Sequence, residues 1–306
     1  MEQYDVIIIG GGAAGLSAGL YSSRAMLKTA VIEKIGFGGQ ILVTDEIENY
    51  PGFPKGIKGP ELSLMMEEQT RRFGAELKYE EVVGIEQLDK LMKIVHTSEN
   101  SYCTKTIIIA SGGSHKKLGI RGEEEYSGKG VSYCAVCDAN FFRGQEVVVV
   151  GGGDAALDEG LYLTGIVEKV TVIHRREKLK ASRILQQRAL DNPKMDLLLS
   201  HVVEEFRGTE LMDRVLTKNL LTGESFEFPA AGAFIYIGFV PNSEFLKQIL
   251  PTDDLGHINS DIQMRTAIPG VFVCGDVRTH SERQLGSAVG DGITAALTAY
   301  HFISGD

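Results

Sequence analysis

One strand–turn–helix–strand unit occurs twice in this chain, and it constrains the fold more than any other feature. The first copy begins with an apolar strand at residues 4–9, passes a glycine-rich turn and a helical apolar pattern, and ends its second strand at Glu33. The second copy runs in the same way from residues 146–150 to His174, at a constant offset of 141 positions (174 − 33). Strands that alternate with helices in this manner form parallel sheets covered by helices. The sequence therefore predicts an α/β fold with two such units.

Both turns have the glycine spacing of a dinucleotide-binding site. Gly10 allows the tight turn, Gly12 lets the backbone approach a pyrophosphate, and Gly15 lets the helix pack on the sheet, with the phosphate at the helix N-terminus. A single motif of this kind could merely mark a turn, but two copies in register between strands predict two dinucleotide sites in Rossmann-like three-layer domains. The turn residues assigned to these sites are Gly10, Gly12, Ala13, Ala14 and Gly15, and Gly151, Gly153, Asp154, Ala155 and Ala156.

The two copies differ in charge after their second strand. Glu33 offers a carboxylate that would accept hydrogen bonds from a ribose diol. In the second copy His174 is followed by Arg175 and Arg176, and Lys180 stands farther along. An acid repels a ribose 2′-phosphate, whereas Arg binds it through paired hydrogen bonds. The second site is therefore interpreted as an NADP(H) site and the first as a site for the adenosine of FAD or NAD; the alternative for the basic run is a solvated surface stretch.

The charge and hydropathy pattern argue against two classes of partner. The net charge is −10, whereas nucleic acids and anionic membranes attract Lys and Arg. No apolar stretch approaches the roughly 18–20 residues of a membrane span, and no basic and apolar leader precedes the first strand. Four cysteines in 306 residues do not form a disulfide framework. These features favour a cytoplasmic protein that binds neither nucleic acid nor membrane.

Two further strand-then-turn passages indicate where the chain crosses between domains. An apolar strand at residues 106–110 runs into a Gly-rich turn, and another at 233–237 does the same. A buried strand that ends in Gly275-Asp276, and a small-residue helix after it, would complete the first domain. The sequence therefore predicts a discontinuous first domain, residues 1–114 and 246–306, with a second domain, residues 115–245, inserted into it.

The cysteine pair Cys134 and Cys137 stands just ahead of the second glycine turn. A CxxC motif is a redox-active dithiol, half of a zinc site, or incidental. Zinc requires two more closely spaced ligands, and the other cysteines, Cys103 and Cys274, are isolated. A redox-active pair is therefore predicted. The adjacent Asp138 would exchange protons with a departing or attacking thiolate, or cap the next turn.

In combination, these motifs resemble those of low-molecular-weight thioredoxin reductases over the whole chain. The two fingerprints, the CxxC inside the inserted domain and the Gly-Asp strand near the C-terminus carry the resemblance. The resemblance implies that an NADPH domain is inserted into an FAD domain. It also implies a homodimeric, FAD-containing enzyme that passes electrons from NADPH to thioredoxin or a similar small dithiol protein.

The resemblance assigns roles by position. Cys137 would face the flavin, Cys134 would attack the partner's disulfide, and Asp138 would be the acid/base residue. Lys180 departs from the family, which commonly has Arg there, and Lys lacks the planar fork. The further FAD-binding residues that it implies, besides the first glycine turn and Glu33, are Gly39, Gln40, Asn49, Asp276, Arg283 and Gln284.

Three other functions remain open on the same motifs. A flavin-dependent dithiol oxidase would not need the basic run at the second site. A ferredoxin-coupled disulfide reductase would take its electrons from a protein. A non-catalytic NADP(H)-binding redox sensor would keep the nucleotide site without turnover.

Overall fold

The computed structural model describes residues 1–44, 46–87 and 92–305 of the 306-residue chain. The helices in this described part are α1 Ala13–Arg24, α2 Gly59–Arg72, α3 Ala135–Asp138, α4 Asp154–Thr164, α5 Arg183–Asp191 and α6 Leu285–Ser304. The strands are β1 Glu2–Ile9, β2 Thr29–Glu33, β3 Glu46–Ile47, β4 Ile57–Lys58, β5 Glu76–Tyr79, β6 Val82–Gln87, β7 Lys93–Thr97, β8 Ser101–Ile109, β9 Gly113–His115, β10 Val131–Ser132, β11 Glu146–Gly151, β12 Lys169–His174, β13 Met195–Leu199, β14 His201–Gly208, β15 Met212–Asn219, β16 Ser225–Pro229, β17 Gly232–Tyr236, β18 Phe239–Pro241 and β19 Val271–Val273. None of these helices has the length and apolar content needed to cross a bilayer.

The chain divides into two units, one of residues 1–114 and 240–306 and the other of residues 115–239. Residues 240–245, which were predicted to lie in the inserted domain, belong here to the first unit. The backbone N–H of Asn242 donates to Gly112 O at 3.0 Å, and its side chain donates to Ser111 O at 2.9 Å. These bonds, together with the packing of Phe245 against a core of the first unit, account for the position of this border.

The first unit is built on a largely parallel sheet. Its strand order is β5-β2-β1-β8-β7-β6, and β19 also pairs with β8. Strand β8 changes partner along one edge: residues 101–104 pair antiparallel with β7, and residues 107–109 pair parallel with β19. The carboxyl ends of β1, β2, β8 and β19 meet at one edge of the sheet, because these strands are parallel to one another.

The burial pattern of β1 fits its place in the sheet between β2 and β8. Val6, Ile7, Ile8 and Ile9 are all buried, as expected for a parallel strand that is covered on both faces. Because side chains alternate across a strand, Ile7 and Ile9 join one apolar core, and Val6 and Ile8 join a second core formed with α1 and α6.

The second unit has three layers around a parallel sheet of order β10-β17-β11-β12-β13. Val147 and Val149 face α4 and α5, whereas Val148 and Val150 face the antiparallel sheet β14-β15-β16. The predicted α/β fold with two Rossmann-like units is confirmed. The three-stranded layer was not predicted.

Candidate active site

The first glycine turn is too tight for a side chain at two of its three motif glycines and leaves room for one at the third. Gly10 has φ +107°, and a Cβ there would lie 2.3 Å from the Ala110 carbonyl oxygen. A Cβ on Gly15 would lie 1.9 Å from the Gly10 carbonyl oxygen, so only glycine allows α1 to pack so closely. At Gly12 the nearest atom to such a Cβ lies 3.9 Å away. An open backbone face at a helix N-terminus is what a pyrophosphate requires.

Glu33 lies at the end of β2 beside this turn. Its Oε2 accepts a hydrogen bond from the Gly11 N–H at 2.8 Å, and its Oε1 accepts from Lys34 N–H at 2.8 Å. These bonds fix the carboxylate where a ribose diol of a bound dinucleotide is expected. Ala13 and Ala14 form the first turn of α1 and are buried.

The second glycine pair of this unit packs against the first turn. The Gly38 N–H donates to Gly11 O at 2.7 Å, and the Gly39 Cα lies beside Gly12. Gln40 Nε2 donates to the Gly113 carbonyl at 3.2 Å. The structure therefore brings Gly39 and Gln40 next to the open backbone face.

Two more of the predicted residues, 235 positions apart in sequence, meet at the N-terminus of α6. Asn49 Nδ2 donates to Gln284 Oε1 at 3.1 Å. Ser287 Oγ accepts from the Gln284 N–H at 3.3 Å and donates to the Gln284 carbonyl at 2.8 Å. The start of α6, where the helix dipole favours negative charge, is thus fixed by side chains.

Asp276 lies in the 3₁₀ turn that follows β19, and an ion pair missed by sequence reasoning holds that turn. Asp291 in α6 binds Arg278 through two hydrogen bonds, of 2.6 and 2.9 Å, and also accepts from the Gly275 N–H at 3.1 Å. Burial raises the pKa of Asp276, while a hydrogen bond from Ser281 acts in the opposite direction. A buried aspartate within the small, apolar residues of α6 was the signal that could have revealed the pair.

Arg283 precedes α6 and has the positive φ of +55°. Its Nη2 lies 3.1 Å from Nε2 of His257, which in turn contacts Asp253. Neither His257 nor Asp253 was predicted from sequence, and neither belongs to a motif.

The second glycine turn repeats the geometry of the first. Gly151 has φ +157°, and a Cβ there would lie 2.3 Å from the Tyr236 carbonyl oxygen, whereas nothing lies within 4 Å of a Cβ on Gly153. Ala156 is buried beneath the turn. Asp154 and Ala155 are exposed in the first turn of α4. The open position again lies at a helix N-terminus.

The loop after β12 folds back onto this turn. The N–H groups of Lys180 and Ala181 donate to Gly152 O at 2.7 and 3.1 Å, and the Ser182 N–H donates to Asp154 Oδ1 at 2.5 Å. Three successive backbone donors thus fix the end of the loop. The side chains of Arg175, Arg176 and Lys180 are exposed.

His174 lies differently from its neighbours in this loop. It is only 8% exposed, and its ring packs against the backbone of Gly152, with Nε2 3.2 Å from Lys178 O. Burial lowers the pKa of His174, and the nearby cations lower it further. The ring therefore shapes the loop from beneath, while the two arginines reach into solvent.

Cys134 and Cys137 form a disulfide at the start of α3, with their Cα atoms 5.4 Å apart. The Cys137 N–H donates to Cys134 Sγ at 3.2 Å, and Cys137 is the more exposed of the two. No group of three or more His, Cys, Asp or Glu residues in the described part of the chain could hold a metal. Cys103 and Cys274 are free, and burial raises the pKa of the Cys274 thiol. Because Cys134 and Cys137 are joined in a disulfide, they have no thiolate that could bind zinc, which favours the redox interpretation.

Asp138 ends α3 and is tied back towards the cysteines. Ser132 Oγ donates to Asp138 Oδ2 at 2.6 Å and accepts from the Cys134 N–H at 3.1 Å. The Asp138 side chain makes no capping bond to the following 3₁₀ turn among the described residues. Tyr236 OH accepts from the Ala135 N–H at 2.8 Å, which anchors the helix start.

Comparison with known proteins shows the family to which this chain belongs. Residues 4–293 match the pyridine nucleotide-disulphide oxidoreductase family. The chain is 46% identical to the thioredoxin reductase of Bacillus subtilis, covering 98% of this chain and 95% of the relative. It is similar to the crystal structure of Lactococcus lactis thioredoxin reductase in the FR conformation (TM-score 0.97, 47% identity, 99% and 100% of the two chains). It is also similar to the crystal structure of T. acidophilum thioredoxin reductase (TM-score 0.94, 35% identity, 98% of each chain). The chain therefore belongs to the pyridine nucleotide-disulphide oxidoreductase family, in its thioredoxin reductase branch.

Proposed function

We propose that this protein reduces the disulfide of thioredoxin, with NADPH as the electron donor and FAD as the bound cofactor. The observation that carries the proposal is the Cys134–Cys137 disulfide, which lies in the same unit as a dinucleotide turn followed by a basic loop. Membership of the thioredoxin reductase branch supports the same reaction. It also supports a homodimer located in the cytoplasm; light scattering on the purified protein would test the dimer.

The first unit has the donors and the space that FAD requires. The open face at Gly12 would take the pyrophosphate, and Glu33 would accept from the ribose of the adenosine. FAD, when bound, accepts a hydride from NADPH and passes two electrons to the disulfide. The residues that we assign to hold it are Gly10, Gly12, Ala13, Ala14, Gly15, Glu33, Gly39, Gln40, Asn49, Asp276, Arg283 and Gln284.

The second unit is assigned to NADPH. The open face at Gly153 would take the pyrophosphate, and exposed Arg175 and Arg176 would bind the 2′-phosphate. Lys180 adds a point charge, and His174 and Asp154 shape the loop through Lys178 O and the Ser182 N–H. The turn residues Gly151, Ala155 and Ala156 complete the site.

The thiol chemistry is assigned to Cys134, Cys137 and Asp138. After reduction of the pair, the Cys134 thiolate attacks a disulfide sulfur of thioredoxin, and one thioredoxin thiolate leaves. Cys137 then attacks Cys134 in the mixed disulfide, which restores the intramolecular disulfide and releases the second thiolate. Hydrogen bonding from the Cys137 N–H favours the Cys134 thiolate. Asp138, held by Ser132, exchanges protons with these sulfurs.

Anaerobic titration of the purified protein with NADPH and with NADH tests the electron donor. We expect NADPH to bleach the flavin absorbance at far lower concentration than NADH, because only NADPH has the 2′-phosphate. Replacing both Arg175 and Arg176 by Ala should raise the KM for NADPH about tenfold or more and leave that for NADH nearly unchanged. Equal use of both dinucleotides by the unmodified protein would contradict the role of these arginines.

The order of the cysteines is tested by trapping. C137S should form a stable mixed disulfide with a thioredoxin variant that keeps one cysteine, activated as a disulfide with an aromatic thiol that then leaves, whereas C134S should not. The reverse pattern would exchange the two roles. Flavin that NADPH leaves oxidised would favour the oxidase or the ferredoxin-coupled reductase, and flavin reduction without thioredoxin turnover would favour the redox sensor.

A further inference from the structure

Arg283 is held in front of α6 by a histidine that lies outside every motif of the sequence. Arg283 Nη2 lies 3.1 Å from His257 Nε2, and His257 Nδ1 lies 3.0 Å from Asp253 Oδ2. A guanidinium has no acceptor, so Arg283 donates and Nε2 of the imidazole accepts. The ring proton is then on Nδ1 and is donated to Asp253. The contacts thus require a neutral imidazole of fixed tautomer.

The segment that carries His257 is fixed independently of Arg283. Asp253 Oδ1 accepts from the N–H groups of Leu255 and His257 at 2.9 and 2.8 Å. The next residue, Ile258, is fully buried, and its N–H donates to Val277 O at 2.9 Å. His257 itself is 6% exposed. The imidazole is therefore a rigid acceptor against which the long arginine side chain can be held.

Arg283 also needs support because of its backbone conformation. Its φ of +55° is one that residues with a side chain rarely adopt, and such conformations persist only when their surroundings hold them. Its N–H donates to Ser281 Oγ at 3.2 Å, and Ser281 Oγ donates to Asp276 Oδ1 at 3.3 Å. Ser281 thus links the arginine backbone to Asp276, while His257 holds its side chain.

We propose that His257 is a positioning residue of the FAD site: backed by Asp253, it fixes the Arg283 guanidinium at the N-terminal end of α6. This proposal rests on the proposed function, which assigns Arg283 to FAD, and on the resemblance to thioredoxin reductases, which implies that Arg283 lies by the isoalloxazine at the start of α6. Reduction adds negative charge to a flavin, so a fixed cation beside it raises its affinity for electrons. His257 would therefore raise the affinity of the flavin for electrons without contacting the flavin.

The test is a redox titration of the FAD-loaded protein and its variants against a reference dye. R283A should shift the two-electron reduction equilibrium about tenfold towards the oxidised flavin, which is about 30 mV. H257F keeps a ring but has no acceptor, and it should shift the equilibrium in the same direction by at least about threefold. The double variant should shift it no further than R283A alone, because both changes act through one guanidinium.

Two further variants strengthen the test. H257Q offers an amide oxygen to Arg283 and should restore most of the equilibrium that H257F loses. D253A removes the acceptor for Nδ1–H of His257 and should shift the flavin equilibrium, and this shift should disappear in the R283A background. D253A replaces H257F in the test if H257F does not retain FAD.

A matched control is H96F. His96 pairs with Ser101 at the amino end of β8, whereas the FAD site lies beyond its carboxyl end, about 25 Å away at roughly 3.3 Å per residue. The control should leave the flavin equilibrium unchanged. A shift in R283A without one in H257F and D253A, or additive shifts in the double variants, would overturn the role of His257 alone. An unchanged equilibrium in R283A would overturn the assignment of Arg283 in the proposed function, and that of His257 with it.

Discussion

His174 supports its loop from a buried position, and this has a consequence for stability. A Cβ on Gly152 would lie 2.2 Å from the His174 ring, so the ring occupies the space that a larger residue at 152 would need. Burial lowers the pKa of His174 in the folded protein, whereas the unfolded chain protonates near the ordinary value of about 6.5. Below that pH the unfolded state binds more protons than the folded state. The contribution of His174 to the free energy of unfolding therefore rises with pH through this range.

Replacing His174 by Gln tests this linkage. We expect the fall in the free energy of unfolding between pH 7.5 and pH 5.5 to be shallower in H174Q, by at most about 1.4 kcal/mol per pH unit. Urea unfolding at several pH values measures it. His301, whose side chain is exposed near the end of α6, provides the control variant H301Q. A slope in H174Q equal to that of the unmodified protein would contradict the role of burial.

At the scale of the element, the two glycine turns make a matched pair of experiments. Gly12 and Gly153 have φ of −71° and −98°, which alanine adopts without strain. A Cβ on Gly12 would meet its nearest atom at 3.9 Å, and one on Gly153 would meet nothing within 4 Å. G12A should fold but lose most of its FAD, because the Cβ occupies the approach of the pyrophosphate. G153A should keep its FAD and raise the KM for NADPH about tenfold or more. Flavin-to-protein absorbance after gel filtration and steady-state kinetics measure the two effects.

Gly15, which belongs to the same turn as Gly12, provides a contrast because its substitution should affect folding. A Cβ on Gly15 would lie 1.9 Å from the Gly10 carbonyl oxygen, so G15A should destabilise α1 against its sheet rather than merely block a ligand. If G12A retained full FAD and G153A an unchanged KM, the turns would not be the pyrophosphate sites.

The elements also show which parts of the fold a sequence can predict. Both βαβ units and the long helix at residues 285–304 were predictable, because glycine spacing and apolar periodicity are local signals. The layer β14-β15-β16 was not, because its strands mix apolar and charged residues and gain their order from packing on the parallel sheet. The bond from Asn49 to Gln284 and the contact of Arg283 with His257 could not be predicted for a related reason. Only the tertiary fold brings these pairs together.

At the scale of the whole molecule, each unit has its own apolar cores, and each should respond to its own ligand. We expect calorimetry of the FAD-loaded protein to show that NADP⁺ raises the stability of the unit formed by residues 115–239. At 100 times its Kd the gain is about 2.7 kcal/mol. Hydrogen exchange would assign the protection. Slower exchange confined to the sheet of the first unit would contradict the assignment of NADPH to the second.

The change of partner along β8 has a further consequence, for the order in which the protein is made. The edge of β8 at residues 107–109 pairs with β19, which ends 164 residues later (273 − 109). At about 5–20 residues per second, a ribosome needs roughly 8–33 s to produce that partner. The entire inserted unit emerges in the meantime. Three consecutive isoleucines at an unpaired strand edge invite pairing with other nascent chains, so the last strand of the sheet also covers an apolar edge that could aggregate.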